Sequence, residues 1–324
     1  MENRLADSDT VVLWENVLRN SKINTLFITP SWQQKWWDNF STDSEVTVEV
    51  IYKGESPIGV LPIMKSDGIF SFIGSSSVFD YMDFPVVLGE ENEYFQQIYK
   101  KIIASEWESI RLESIPEDSP TLAILPSIFE RNGYSVSTNE SDKTPLMELP
   151  EDWETYLLNL RKKDRHELKR KIRRLENNNS YSQYVASLEE GFLESEMADF
   201  FKLMSMSMTD KDDFLTQQNK TFFIDIAREF YKQNRLKLYF LEVDGEKAAA
   251  CICFYYDNTV LLYNSGYNPD YSSLSVGLIN KALTIKEAIN AGYQTYNFLR
   301  GTEQYKYHLG AKDKSVIDLI ITNK

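Results

Sequence analysis

Two cysteines, two histidines and no apolar run of membrane-spanning length leave several function classes with nothing to stand on. Cys251 and Cys253 are one residue apart in an apolar stretch. On a strand they share a face, which suits a disulfide poorly, because its Cα atoms must lie within about 7 Å in a specific orientation. With only His166 and His308 beside them, a Cys/His metal centre is not expected and no metal is assigned. The opening Met1–Asp7 segment carries no apolar signal-like stretch. The expectation is a soluble protein of the reducing cytoplasm without a transmembrane segment. Positive charge is also scarce: 35 Lys and Arg face 49 Asp and Glu, a net charge of −14. Such a chain is repelled by nucleic acid and anionic membrane unless a local basic patch intervenes.

What the chain has is length and apolar bulk. Its 324 residues suffice for two ordinary domains, and 42% hydrophobic residues suffice for two cores. The order within it repeats. Val46–Glu55 reads as a strand running into a Gly-Glu turn, followed by apolar strands at Ile58–Ile63 and Ile69–Ile73. Leu236–Glu246 reads the same way, followed by strands at Ala248–Tyr256 and Val260–Ser265. The Gly-Glu pairs are 191 residues apart, and Asp80-Tyr81 recurs as Asp270-Tyr271 at 190. Each copy continues with a helix (about 91–106 and 276–291) and a further strand (Ser109–Glu113 and Thr295–Leu299). The pattern predicts two tandem α/β units, each a mixed sheet with helices on its faces. The polar stretch Ser137–Pro145 reads as the loop between them, giving domains 1–145 and 146–324. Trp32, Trp36 and Trp37 follow the helix-start pattern Thr29-Pro30-Ser31 and read as core.

The second copy opens with a helical pattern from about Asp152 to Asn177. Leu157, Leu160, Leu168, Ile172 and Leu175 follow helical spacing, and Asp164 falls on the same stripe. Residues 161–174 hold nine Lys or Arg against two acids, a local +7 that leaves −21 elsewhere. A solvated face is the simplest account of such a run. Charges around the whole helix, with Arg165 beside Asp164, point instead to an anionic small-molecule or carrier-linked partner.

Chemistry concentrates near the end. After the strand at 295–299 comes Arg300-Gly301-Thr302-Glu303-Gln304-Tyr305-Lys306, with a carboxylate, a phenol and an amine within four residues. Proton-handling groups just beyond a strand suit a ligand site; a polar strand end exposed to water, with Glu303 paired to Lys306 and Tyr305 filling core, is the equally open alternative. Upstream, Leu274-Ser275-Val276-Gly277-Leu278 opens a helix with small residues, which lets phosphates approach its free N–H groups. N-capping by Ser273 or Ser275 is the plainer reading. Copy one has Leu88-Gly89-Glu90-Glu91 at this point, so a phosphorylated ligand belongs to copy two.

These residues resemble a known family. The succession of strand, polar loop, small-residue helix start, helix and strand resembles the acyl-CoA-binding half of a GNAT acyltransferase. The closer resemblance is to tandem-GNAT acetyltransferases of the BioF2-like, cellulose-biosynthesis-associated group, distant relatives of the Fem aminoacyl transferases. It extends over nearly the whole chain, through Thr29–Trp32, Gly59–Pro62, Asp80-Tyr81 with Asp83, the Arg165-centred helix, Leu274–Gly277 and Arg300–Lys306. Ser272–Gly277 lacks the first Arg or Gln and the first Gly of the general GNAT pattern, and Val276 stands where the closer group has Pro.

The resemblance implies transfer of an acyl group from acetyl-CoA or another acyl-CoA, a co-substrate and not a resident cofactor. The acceptor would be an amine of an amino sugar or related cell-surface polysaccharide precursor. Glu303, Tyr305 and Lys306 are the catalytic candidates: base, acid toward sulfur, and charge stabiliser. Ser275, Val276, Gly277 and Leu278 are candidates for the acyl-CoA site, and Asp80, Tyr81, Asp83, Arg165 and Arg300 for the acceptor, with Asp80 a second candidate base. Alanine at Glu303 or Lys306 is expected to abolish transfer with little change in thermal stability. Two alternatives remain open: aminoacyl transfer from a charged tRNA to a peptidoglycan-type acceptor, and a non-catalytic degenerate GNAT pair that only binds.

Overall fold

In a computed structural model that describes residues 4–41, 43–178, 180–207 and 214–323, the chain forms two compact units. One is Met1–Lys143 with Lys314–Lys324, the other Thr144–Asp313. The strands in chain order are β1 (Glu45–Lys53), β2 (Ser56–Ser66), β3 (Ile69–Phe72), β4 (Ser109–Pro116), β5 (Ser135–Lys143), β6 (Leu146–Glu148), β7 (Tyr181–Val185), β8 (Leu236–Val243), β9 (Glu246–Tyr256), β10 (Thr259–Tyr267), β11 (Thr295–Asn297) and β12 (Ser315–Thr322). They make two six-stranded mixed sheets, ordered β1-β2-β3-β4-β12-β5 and β6-β11-β10-β9-β8-β7.

The repeat is physical. β1, β2 and β3 are joined antiparallel, and β3 pairs parallel with β4. β8, β9 and β10 are joined the same way, and β10 pairs parallel with β11. A parallel pair needs a crossover. The helices Glu91–Ile103 and Val276–Asn290 supply it at the two equivalent places. These two mixed sheets with their helices are two α/β domains, as the repeat predicts.

Each unit owes its core to patterning. In the first, Thr29 caps the helix Pro30–Phe40, its hydroxyl accepting from the Trp32 amide at 3.3 Å. Trp32, Trp36 and Trp37 are all buried, as expected of them. In the second, Ala248 to Phe254 of β9 is buried without a break. Helix Val276–Asn290 packs against β9 with helix Leu193–Ser207 also in contact, so both strand faces are covered and the sequence has no polar alternation there. Cys251 and Cys253 lie in this run as free, buried thiols.

Three local expectations need correction. The pattern over 152–177 is two helices, Trp153–Asn159 and Lys162–Asn178, because Leu160 takes an extended conformation (ψ 148°). Its side chain is buried, and Asp164 then falls in the first turn of the second helix, where a carboxylate is favoured. The supposed polar linker 137–145 is mostly edge strand β5, which pairs with β12 on one side while its side chains are mostly exposed. The C-terminal strand does not stay with residues 146–313. β12 lies between β4 and β5, antiparallel to both, so Lys314–Lys324 belongs to the first unit.

Candidate active site

β10 and β11 pair over three residues only, Thr259–Leu261 against Thr295–Asn297. β10 continues to Tyr267, with a bulge against β9 between Leu262 and Asn264. The second strand turns away instead. Asn297 accepts the Leu299 amide on its side-chain oxygen at 2.8 Å, and Leu299 adopts a left-handed φ of 57°. The unpaired half of β10 and the chain after β11 flank a cleft of about 430 Å³. Its walls include Ser265 and Tyr267 of β10, Ser275 to Leu278 and Lys281 of the crossover helix, Lys171, and Glu303 with Tyr305.

The helix start fits an anion. Ser275 has φ 60° and ψ 36°, closing the short 3₁₀ turn Pro269–Leu274 and opening helix Val276–Asn290. Its side chain makes no capping bond, contrary to the plainer reading of this serine. The first N–H groups of the helix keep their capacity for a ligand, and the helix dipole favours a negative one. Lys171 and Lys281 add positive charge to the same cleft.

On the opposite wall, Gly301 has φ 106°, and a Cβ there would lie 2.5 Å from a Glu303 carboxylate oxygen. Only glycine fits this turn. Lys306 is 1% exposed and its ammonium donates to three carbonyls, Leu299 at 3.1 Å, Arg300 at 2.6 Å and Gly301 at 3.0 Å. It also pairs with Glu303 at 3.0 Å. Its protons are therefore engaged in holding the turn, and Lys306 is not among the residues lining the cleft. Glu303 sits on the surface side of that pair and Tyr305 is half-buried beneath it. Burial, and then the Glu303 carboxylate, push the Tyr305 phenol well above its usual pKa, so it stays protonated.

Lys281 was not singled out by sequence reasoning. It is 6% exposed, donates weakly to Gly277 O at 3.3 Å and lies 4.7 Å from the centre of the Tyr305 ring. Burial pushes its pKa down. The available signal was weak: Lys281 stands at helical spacing from Leu278 and Ile285, but Lys286 stands likewise among Ala282, Leu283 and Ile289, so spacing does not single it out. Neighbouring polar groups of that helix are satisfied inside the fold. The Asn280 amide donates to Cys251 Sγ at 3.3 Å and accepts from Gln183 at 2.7 Å, and the Thr284 hydroxyl meets the Tyr296 phenol at 2.7 Å.

The structure thus brings together Ser275, Val276, Gly277, Leu278, Glu303 and Tyr305. Arg300 lies in the turn that Lys306 fastens. Arg165 is half-buried and donates to Leu158 O at 3.1 Å, away from the lining of this cleft. Asp164, on the buried stripe, accepts from Arg161 at 2.6 Å. Asp80, Tyr81 and Asp83 belong to the first unit. Tyr81 and Asp83 are buried there, and Asp83 accepts from Thr121 Oγ1 and the Phe84 amide. Among the described residues no group of His, Cys, Asp or Glu is arranged to hold a metal, and no helix is long and apolar enough to cross a membrane.

Residues 162–307, from the basic helix to the Glu303 turn, match the acetyltransferase (GNAT) domain family. No curated protein sequence matches the chain. Among solved structures, FemX superposes with a TM-score of 0.69 at 10% identity, over 96% of this chain and 95% of that one. L-PGS from Bacillus licheniformis gives 0.57 at 10% identity, over 98% and 92%. A tandem GNAT protein from the clavulanic acid biosynthesis pathway gives 0.54 at 10% identity, over 99% and 97%. At that identity these likenesses speak for the fold, and the fold is two GNAT-like domains. The chain is thus built of two GNAT-like domains, and the second contains the stretch, residues 162–307, that matches the acetyltransferase (GNAT) domain family.

Proposed function

We propose that this protein transfers an acyl group from acyl-CoA to an amine of an amino sugar or nucleotide-linked sugar used for surface polysaccharide, as a tandem-GNAT enzyme of the BioF2-like group. The observation that carries the reading is the cleft between β10 and the chain after β11, where an uncapped helix start, a carboxylate and a protonated phenol share one wall system. The residues present fit an acyl-CoA: the backbone of Val276 to Leu278 with Lys171 suits its phosphates, and the gap between the parted strands suits a slender thioester arm. The acyl-CoA supplies the acyl carbon and a thiolate leaving group.

Transfer then needs two proton movements. The acceptor must lose a proton for its nitrogen to attack the thioester carbon, and the departing sulfur must be protonated or stabilised as the C–S bond breaks. Glu303 is the base in this reading, because its carboxylate lines the cleft from the exposed side of its ion pair with Lys306. Tyr305 is the acid, because its raised pKa keeps the proton on the phenol until sulfur demands it. Lys306 is a positioning residue that fixes Glu303 and the Leu299–Gly301 carbonyls. Calorimetric titration with acetyl-CoA and longer acyl-CoAs tests the donor; absence of heat with all of them would leave the binding-only alternative in its place. Mass-spectrometric screening of amino-sugar acceptors against the preferred donor tests the acceptor, and acylation at oxygen only, or of none, would remove that class.

One observation favours a second reading. His166, Lys169, Arg170, Arg173, Arg174 and Asn177 line a separate basic groove on the Lys162–Asn178 helix. In aminoacyl transfer from a charged tRNA, this groove would follow the RNA backbone. Binding of tRNA that weakens steeply with salt supports that reading, and salt-insensitive or absent binding rejects it.

A further inference from the structure

Lys281 is a buried charge in the cleft with few partners. A buried ammonium has three protons to place and a large desolvation cost unless an anion or several acceptors surround it. Lys306, seven positions from Leu299, shows the satisfied case, with three carbonyls and a carboxylate. Lys281 has one long bond to Gly277 O at 3.3 Å and the face of the Tyr305 ring at 4.7 Å. Among the described residues no carboxylate forms an ion pair with it. It nevertheless lines the same cleft. A lysine kept in that condition gains from any negative charge that arrives beside it.

We propose that Lys281 is a further catalytic residue, the group that receives the negative charge developing on the leaving sulfur. The inference rests on the acyl-CoA reading above. Position selects this anion over the donor's phosphates. Phosphates are bulky and hydrated and are served by the helix start and by half-exposed Lys171, whereas Lys281 is recessed one turn further along the helix, against Tyr305. Tyr305 cannot itself be the resident counter-ion, since its phenol stays protonated. The two then divide the work. As the acceptor nitrogen forms its bond to the acyl carbon, the C–S bond breaks and its electron pair goes to sulfur. Lys281 holds that sulfur electrostatically while Tyr305 delivers its proton, and the proton lost by the acceptor goes to Glu303. Charge stabilisation at a water-poor site of this kind is a large catalytic effect.

The test compares coenzyme A with desulfo-coenzyme A, in which hydrogen replaces the thiol, by calorimetry on the full chain at neutral pH. Wild type is expected to bind coenzyme A about tenfold more tightly. Lys281→Met, which keeps the stem and removes the charge, is expected to lose that preference while retaining desulfo binding, and Lys281→Arg to recover part of it. In the ultraviolet, the thiol of bound coenzyme A should ionise at lower pH on wild type than on Lys281→Met. Equal affinities on wild type overturn the proposal and leave the acyl-CoA reading standing. Equal weakening of both ligands by Lys281→Met overturns it too, since Lys281 would then be an anchor for phosphate or pantetheine. If neither ligand binds wild type, the acyl-CoA reading falls and this proposal with it. Should Lys281→Met fail to fold, the wild-type comparison, the thiol titration and Lys281→Arg still decide.

Discussion

Tyr305 combines the raised pKa and the cleft position of an acid. Tyr305→Phe should therefore lower kcat by about a hundredfold and leave the melting temperature nearly unchanged; full turnover in steady-state assays would exclude it. Lys306 is different. Its removal strands three carbonyls and Glu303, so Lys306→Met should cost about 2–4 kcal/mol in denaturant unfolding as well as activity. That revises the expectation that alanine here would spare stability, because the sequence shows an exposed-looking lysine after a turn and hides the carbonyls it faces. Asp83 gives a pH signature in the first unit. Burial first, eased by its hydrogen bonds, pushes its pKa up to about 6. The unfolded carboxyl ionises near 4, so between the two values the folded state holds the extra proton. Stability on this account is fully present below about pH 4 and falls as pH rises through about 6. Asp83→Asn, which keeps an acceptor for Thr121 and the Phe84 amide, should gain about 1–3 kcal/mol at neutral pH and flatten that slope. Equal slopes in urea unfolding of the two proteins would exclude Asp83 as its source.

At the scale of elements, backbone proximity sets the tightest limits. A Cβ on Gly266 of β10 would lie 2.3 Å from the Met204 amide and 2.4 Å from the Leu203 carbonyl carbon of helix Leu193–Ser207. Backbone cannot swing aside as a side-chain tip can. Gly266→Ala should therefore destabilise by about 3 kcal/mol or more, read from thermal or urea unfolding. The same strand forms the cleft wall, so the variant should also weaken donor binding. The elements themselves were largely legible: β8, β9, β10 and the following helix have apolar runs, tight turns and lengths that periodicity reads directly. The break at Leu160 was not, because Leu157 to Leu175 keep helical spacing across it while the backbone of Leu160 turns extended and ends the first helix. Ser275 shows the same limit. A serine before a helix reads as a cap, and its left-handed backbone, which takes the side chain out of that role, is set by the 3₁₀ turn before it.

For the molecule as a whole, the decisive feature is the placement of β12. A chain truncated after Asp313 would lose a strand from inside the first sheet, leaving β4 and β5 without their shared partner. It should lose the cooperative unfolding of the first unit and expose the strand edges of β4 and β5, which promotes aggregation; wild-type melting and solubility of that truncation would contradict the pairing. The sequence determined the two repeated units, the succession of their strands along the chain up to the crossover helix, and the tryptophan core, because period, turn chemistry and residue type are local properties; it also named Ser275–Leu278, Glu303 and Tyr305, which line one cleft. Tertiary structure alone decided that Ser315–Thr322 completes the first sheet, that Lys306 is spent on carbonyls, and that Lys281 is buried in the cleft with one long hydrogen bond and the face of the Tyr305 ring beside it. Those depend on which distant backbone or side chain fills the space around a group, and no local pattern carries that information.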